Sequence, residues 1–353
     1  MSHPATKPAC TFVCRPEFTD ALIEEGRDKC GPSGHWSAPA PGLVELCGVA
    51  PPARQLVFER QRLMAPFLVP MDELKPLSDA TAVRMLGTAA TEKPLWTAHL
   101  LTVDDDNEAA AGTSLPKRLE GIWGAAVRLA RKTAPDLEKR YRPPHRIKPD
   151  GTVIQVLLGR DGCRISHERA GAMVQTVPGG ILRMKWDDAA PSRSYLKMEE
   201  AFAVMPVAPV AGERVIDLGA APGGWTYAFV KRGCPVIAVD HGPMKLPPAQ
   251  PGWGTVEHRR ENGITFMPPR DGPAVDWLVG DMLIAPGVAL GLLRRWLEPA
   301  LARRIVCNIK LPQEQPYAAI KPVEALLAGQ TRYTWIMRQL YHDRREITVM
   351  AWR

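Results

Sequence analysis

The run Val215-Ile216-Asp217-Leu218-Gly219-Ala220-Ala221-Pro222-Gly223-Gly224-Trp225-Thr226 leaves little freedom in how this chain can fold. A short β-branched stretch, a turn of small residues and a helical pattern predict strand, loop and helix. The apolar run Pro235 to Asp240 then completes a βαβ unit. Glycines at 219, 223 and 224 clear side chains from a place where backbone must approach a ligand. Asp240 closes the second strand, where a carboxylate can accept the hydroxyl protons of a ribose. The unit therefore predicts a site for a nucleoside-bearing ligand. The dinucleotide fingerprint G-x-G-x-x-G is absent from the loop.

At 353 residues the chain can hold two or three domains, and a charged content of 24% places it in the soluble globular class. The longest apolar region, 201–211, is broken by Pro206 and Pro209, so no membrane span is expected. Met1 to Lys7 is followed by no apolar core, so no signal peptide is expected. Seven scattered cysteines without a C-x-x-C pair predict reduced thiols in a cytoplasmic protein and no bound metal. Between Pro116 and Lys148 lie ten Lys or Arg against three acids, an excess equal to the +7 of the whole chain. With Trp123, Tyr141 and His145 interleaved, that stretch suits a polyanion. A solvated helix surface is the plain alternative.

Taken in order, residues 10–18 read as a strand ended by proline, followed by a helix to about Cys30 and a Pro/Gly-rich segment to Pro41. Leu43 to Gly48 and Gln55 to Met64 are further apolar runs, giving a small α+β domain over 1–70. Pro94 to Val103 reads as a strand, and Asp104-Asp105-Asp106-Asn107 as a solvated acidic turn without calcium-loop spacing. An amphipathic helix from Leu115 to Lys132 and a strand from Thr152 to Leu158 complete a second α+β domain over 71–180. Over 181–353, a helix at Ser192 to Met205 precedes strands and helices in alternation, and the last two strands form a closing antiparallel hairpin. This alternation predicts an α/β fold with a doubly wound, mainly parallel sheet.

In such sheets ligands bind beyond the carboxyl ends of the strands. Asp240, Asp281 and Lys310 lie at three of those ends, Glu346 begins the antiparallel strand, and Lys197 lies on the preceding helix. Each alone is most often a solvated surface charge. Charges of both signs brought to one edge form a candidate site.

Asp217-Leu-Gly-Ala-Ala-Pro-Gly-Gly-Trp225 resembles the first motif of S-adenosylmethionine-dependent methyltransferases, in the Pro-Gly-Gly-Trp form of FtsJ-type ribose 2′-O-methyltransferases. Lys197, Asp281, Lys310 and Glu346 match in order the Lys-Asp-Lys-Glu tetrad of those enzymes. The contexts Pro191 to Phe202, Asp240-His-Gly-Pro-Met, Asn308-Ile-Lys-Leu-Pro and Gln339 to Val349 resemble the bacterial 23S rRNA cytidine 2′-O-methyltransferase family, RlmM. The resemblance implies a Rossmann-like methyltransferase domain preceded by a small N-terminal domain and a THUMP-like RNA-binding domain. It also implies S-adenosylmethionine as cofactor and 23S rRNA as partner, before full subunit assembly, with the enzyme a cytoplasmic monomer needing neither metal nor membrane.

The chemistry explains the residue types. A ribose hydroxyl is a poor nucleophile and must be aligned with the methyl group and relieved of a proton. A lysine can take that proton where a nearby cation favours its neutral form. The resemblance makes Lys310 the acceptor and Lys197 the stabiliser of developing alkoxide charge, with Asp281 and Glu346 orienting the ammonium groups. It places Ser194 and the Ala221-Pro222-Gly223-Gly224-Trp225 turn at the methionine end of the cofactor. Asp240 then falls at the ribose, Asn262 near the adenine in place of the usual Asp, and Asp281 beside the cofactor as well. The alternatives are a 2′-O-methyltransferase for another RNA such as tRNA, and a catalytically silent rRNA-binding assembly factor. Retention of the whole tetrad argues against the latter.

Overall fold

The computed structural model describes residues 8–75, 77–92, 94–102, 115–268, 272 and 274–353. The Asp104-Asp105-Asp106-Asn107 turn and the stretch Met1 to Lys7 lie outside the described residues. The chain forms two compact units, Met1–Ile181 and Leu182–Arg353.

The first unit opens with β1 (Cys10–Val13), α1 (Thr19–Cys30), β2 (His35–Ala40), β3 (Leu43–Cys47) and β4 (Gln61–Met64), in a sheet of order β2-β3-β1-β4. β2 lies inside the segment read from sequence as Pro/Gly-rich and irregular. It tolerates Pro39 because it is an edge strand, and its register with β3 shifts between Ser37 and Ala40. Trp36 turns inward from β2 and stacks on Phe12 with ring centroids 5.5 Å apart.

A second four-stranded sheet, of order β5-β8-β7-β6, follows. Its elements in chain order are β5 (Phe67–Pro70), α2 (Asp79–Leu86), α3 (Thr88–Thr91), β6 (Trp96–Thr102), α4 (Leu115–Ala130), α5 (Leu137–Arg140), β7 (Thr152–Leu158) and β8 (Gly162–Arg169). Ser78 caps α2 by accepting the Thr81 N–H at 3.1 Å. α4 buries Leu119, Trp123, Ala126 and Ala130 in a core shared with Trp96 and Ile154. Its other side leaves Arg128 in solvent, and Arg131 and Lys132, in the turn that follows, are exposed as well. The 3.6-residue period thus separates an apolar stripe from a basic one.

The second unit runs α6 (Tyr195–Val204), β9 (Val215–Leu218), α7 (Gly224–Val230), β10 (Val236–Val239), β11 (Val256–Arg259), β12 (Val275–Gly280), α8 (Pro286–Leu297), β13 (Ala302–Lys310), α9 (Pro316–Ala328), β14 (Thr334–Arg338) and β15 (Glu346–Trp352). The seven strands lie in the order β11-β10-β9-β12-β13-β15-β14. β9 to β13 are mutually parallel where they pair, and β15 is antiparallel to both neighbours. The closing hairpin expected from sequence forms the antiparallel edge of the sheet. β15 slots inside the sheet, where almost all of its residues are buried, and the half-exposed β14 forms the edge. The run Val-Ile-Ala-Val in β10 and the fully buried α7 show why an inner layer of an α/β sheet reads as continuously apolar. Among the described residues, no helix is long and apolar enough to cross a membrane.

Candidate active site

The chain goes from β9 outward to β10 and β11, then returns across β9 to β12. The strand order reverses between β9 and β12, and a crevice opens beyond carboxyl ends at such a switch point. The glycine turn follows β9 and Asp281 follows β12, so both border that crevice.

Glycine is required at two positions of the turn. Gly219 has φ +74° and a Cβ there would strike Met282; Gly223 has φ +113° and a Cβ there would lie 3.0 Å from Leu246. A Cβ on Gly224 would collide with the hydroxyls of Ser192 and Ser194, which sit 2.7 Å apart. Asp240 is fixed to the turn by accepting the Ala221 N–H at 3.0 Å and the Gly242 N–H at 2.7 Å. Trp225 buries its indole in the core and donates its Nε1–H to the Ser194 carbonyl at 3.0 Å. Asn262 is exposed, and its Oδ1 accepts the Ile264 N–H at 2.9 Å, capping the turn it begins. Asp217 is buried under the loop, and burial pushes its carboxyl up to about 7 against the Thr226 hydroxyl bonded to it at 2.6 Å.

The four charges singled out in the sequence meet at the far side of the switch point. Lys197 Nζ donates to Asp281 Oδ2 at 3.1 Å and forms a short contact to Glu346 Oε1. Lys310 Nζ lies 3.5 Å from Asp281 Oδ1 and 3.2 Å from Glu346 Oε2. Each carboxylate thus bridges both ammonium groups. The backbone arranges this: Lys310 ends β13 and pairs in register with Glu346 at the start of β15, because the two strands run oppositely.

The two lysines are not equivalent. The Lys197 side chain is 10% exposed, that of Lys310 26%. Burial alone would lower the Lys197 pKa, but Asp281 and Glu346 outweigh it and hold the ammonium above its ordinary value. Burial likewise opposes ionisation of Glu346, and Lys197 with Lys310 overcomes it, holding this carboxyl below the usual range. Lys197 is a fixed cation, and Lys310 the looser and more accessible one.

Sequence reasoning missed a supporting set. Asn308 and Thr348 are cross-strand partners one pleat behind the Lys310–Glu346 pair, on the same sheet face. Glu200, one turn after Lys197 on α6, accepts the backbone N–H groups of Tyr341 and His342 at 2.7 and 2.9 Å and meets His342 Nδ1 at 2.8 Å. It anchors the turn that delivers Asp343 and Glu346. The period-2 spacing of Asn308 with Lys310 and of Glu346 with Thr348 was the available signal, and it needed the strand register to be read. Among the described residues, no group of three His, Cys, Asp or Glu is placed to hold a metal ion.

A family model described as FtsJ-like methyltransferase matches residues 190–311, from just before α6 to just past β13. The chain is 40% identical over 316 residues to the ribosomal RNA large subunit methyltransferase M of Laribacter hongkongensis (strain HLHK9), covering 84% of this chain and 80% of that one. With the protein of the same name from Marinomonas sp. (strain MWYL1), identity is 34% over 311 residues, covering 84% and 81%. With that of Tolumonas auensis (strain DSM 9187 / NBRC 110442 / TA 4) it is 31% over 365 residues, covering 96% and 94%.

Proposed function

The chain belongs to the ribosomal RNA large subunit methyltransferase M family, and from that premise we propose that it methylates the ribose 2′-oxygen of a cytidine in 23S rRNA. The observation that carries the proposal is the doubly bridged Lys197–Asp281–Lys310–Glu346 cluster at the switch point beside a glycine turn. The residues present fit S-adenosylmethionine: a turn free of side chains, the Ser194 hydroxyl next to it, and a carboxylate at Asp240 whose oxygens keep further acceptor capacity. When bound, this cofactor supplies a sulfonium methyl group.

In this reading Lys310 takes the proton of the 2′-hydroxyl. It is the accessible lysine with the longer contacts, whereas Lys197 is held charged by two carboxylates. Lys197 stabilises negative charge developing on the oxygen, and Asp281 and Glu346 hold the two nitrogens in place. Ala221, Pro222, Gly223, Gly224 and Ser194 meet the methionine end, and Trp225 acts by holding Ser194. Asp240 meets the ribose. Asn262 offers its amide nitrogen to the adenine, its oxygen being occupied by the turn. Arg128, Arg131, Lys132, Lys139, Arg146 and Lys148, exposed on the first unit, supply phosphate contacts from the THUMP-like domain over 71–180. The protein acts as a cytoplasmic monomer on RNA not yet fully assembled into the subunit.

Mass-spectrometric mapping of ribose methylation in rRNA and tRNA from a deletion strain tests the function. One 2′-O-methylcytidine of 23S rRNA should disappear and return with purified protein and S-adenosylmethionine. An intact 23S rRNA with a methyl group lost from tRNA would transfer the activity to another RNA. Methyl groups intact everywhere would leave only a silent binding factor.

A further inference from the structure

Behind the four charges lie three buried polar side chains that the proposed reaction does not use: Asn308, Asp343 and Thr348. Thr348 Oγ1 sits 2.7 Å from Asn308 Oδ1 and 2.9 Å from Asp343 Oδ2. Asn308 Nδ2 sits 3.2 Å from Asp281 Oδ1 and 3.3 Å from Asp343 Oδ1. Asp343 Oδ2 also accepts the Leu340 N–H at 2.9 Å. Counting protons around this ring decides its state.

The Asn308 amide nitrogen must face the two carboxyl groups, because the flipped amide would set its oxygen against theirs. Its oxygen then faces Thr348 and takes the single proton of that hydroxyl. The 2.9 Å contact between Thr348 Oγ1 and Asp343 Oδ2 is left with no hydrogen between two acceptors. Turning the Thr348 hydroxyl to Asp343 only moves the same shortage to the 2.7 Å contact with Asn308. One proton is missing if Asp343 is ionised, and a proton on Oδ2 closes the ring.

The geometry points to Asp343 as a positioning residue held as a neutral acid, which donates to Thr348 and, through Thr348 and Asn308, orients Asp281 between the two lysines. The surroundings agree. Burial pushes the Asp343 carboxyl up to about 8 against the attraction of Lys197 on α6, while Glu346 on β15 and Glu200 on α6 push the same way as burial. Arg338, on β14, is the other cation facing it, and Asp281 and Lys310 lie beyond Asn308. A third carboxylate at this depth would favour the charged form of both lysines. A neutral acid supplies the hydrogen bond without that penalty.

This inference rests on the reading of Lys310 as proton acceptor, and its test separates the two. The infrared difference spectrum between the wild-type protein and Asp343→Asn at neutral pH should contain a protonated carboxyl band belonging to the wild type. A difference made only of carboxylate bands would overturn the proposal, and this measurement holds even if methyl transfer were absent. In single-turnover methyl transfer followed up to about pH 8, Asp343→Asn should leave the rising limb in place, since over that range a neutral group replaces a neutral group. A limb displaced to lower pH by about half a unit or more would mean that a negative charge had been removed, and would overturn it. Thr348→Val should lower kcat about tenfold with KM for RNA unchanged, and Thr348→Ser should restore it. An unaltered kcat in Thr348→Val would show that the ring does not position Asp281.

Discussion

Both units bury paired charges, but they place their surplus charge differently. The second takes four charges inward and pairs every one of them across strand ends distant in sequence. The first also buries paired charges, such as Arg62 with Glu59, but keeps its surplus charge outside, on the polar side of α4 and the loop after it. On β6, His99 is fully buried, on the face where Leu101 joins Val13, Leu43 and Leu63, and among the described residues its two ring nitrogens reach no protein partner. A buried charge demands a partner, so a unit that buries charges must fix its strand register closely. A buried group that can shed its charge, as His99 can, makes no such demand. Under the proposed function, the outward charge suits a polyanion and the paired cluster a reaction centre.

The contrast breaks most visibly at Lys310. Lys310→Ala should lower single-turnover methyl transfer by roughly two to four orders of magnitude while leaving the fold and cofactor binding intact. Lys310→Arg should be nearly as damaging, since a guanidinium keeps its proton. Near-normal rates in the arginine variant would make the inward charges an electrostatic scaffold only. Gly223→Val comes next. With φ +113° and Leu246 at 3.0 Å from a Cβ, a branched side chain should weaken S-adenosylmethionine binding roughly a hundredfold by calorimetry. Unchanged affinity would detach the turn from the cofactor.

His99 sharpens the other half. Burial lowers its pKa from 6.5 to about 4, so between these values the unfolded chain binds the proton and the folded one does not. The stability it contributes is therefore complete above pH 6.5 and lost as pH falls towards 4. At pH 5 the loss is about 2 kcal/mol, readable as faster hydrogen exchange along β6 and β7. His99→Gln should remove that part of the pH dependence. The smallest effect concerns the outward charges. Reversing Arg128, Arg131 and Lys132 together should weaken RNA binding and flatten its logarithmic salt slope by roughly two. The exposed ion pairs of Arg131 with Glu138 and Lys132 with Asp79, at 3.0 and 2.9 Å, are weak enough to yield to phosphate. An unchanged slope would move the RNA surface elsewhere.

Legibility from sequence follows the same division. β9, β10 and β12 could be read in order because their runs are mostly apolar, and β7 for the same reason. β8 escaped because Arg164, Ser166 and Glu168 interrupt its apolar positions, and their burial depends on partners such as Glu45 and Gln155 far along the chain. α2 and β5 are too short to carry a period of their own. Strand ends and the preceding helix gathered residues 197, 281, 310 and 346 at one edge, but only family resemblance made them a tetrad, since no local pattern joins them. Asn308, Asp343 and Thr348 stayed hidden because hydrogen-bond complementarity is a property of register, and register was not in hand.

The insertion of β15 between β13 and β14 has a consequence for assembly. β14 precedes β15 in the chain but touches β13 only through it, so β14 joins the sheet with or after the later strand, not before it. Until then β13 presents a long unpaired edge, of the kind that recruits other chains. The same strand carries Glu346 to Lys310 with its first residue pair. Completing the four-charge cluster and covering the β13 edge are thus one folding event, and a polypeptide arrested before it would lack the cluster and be prone to aggregate.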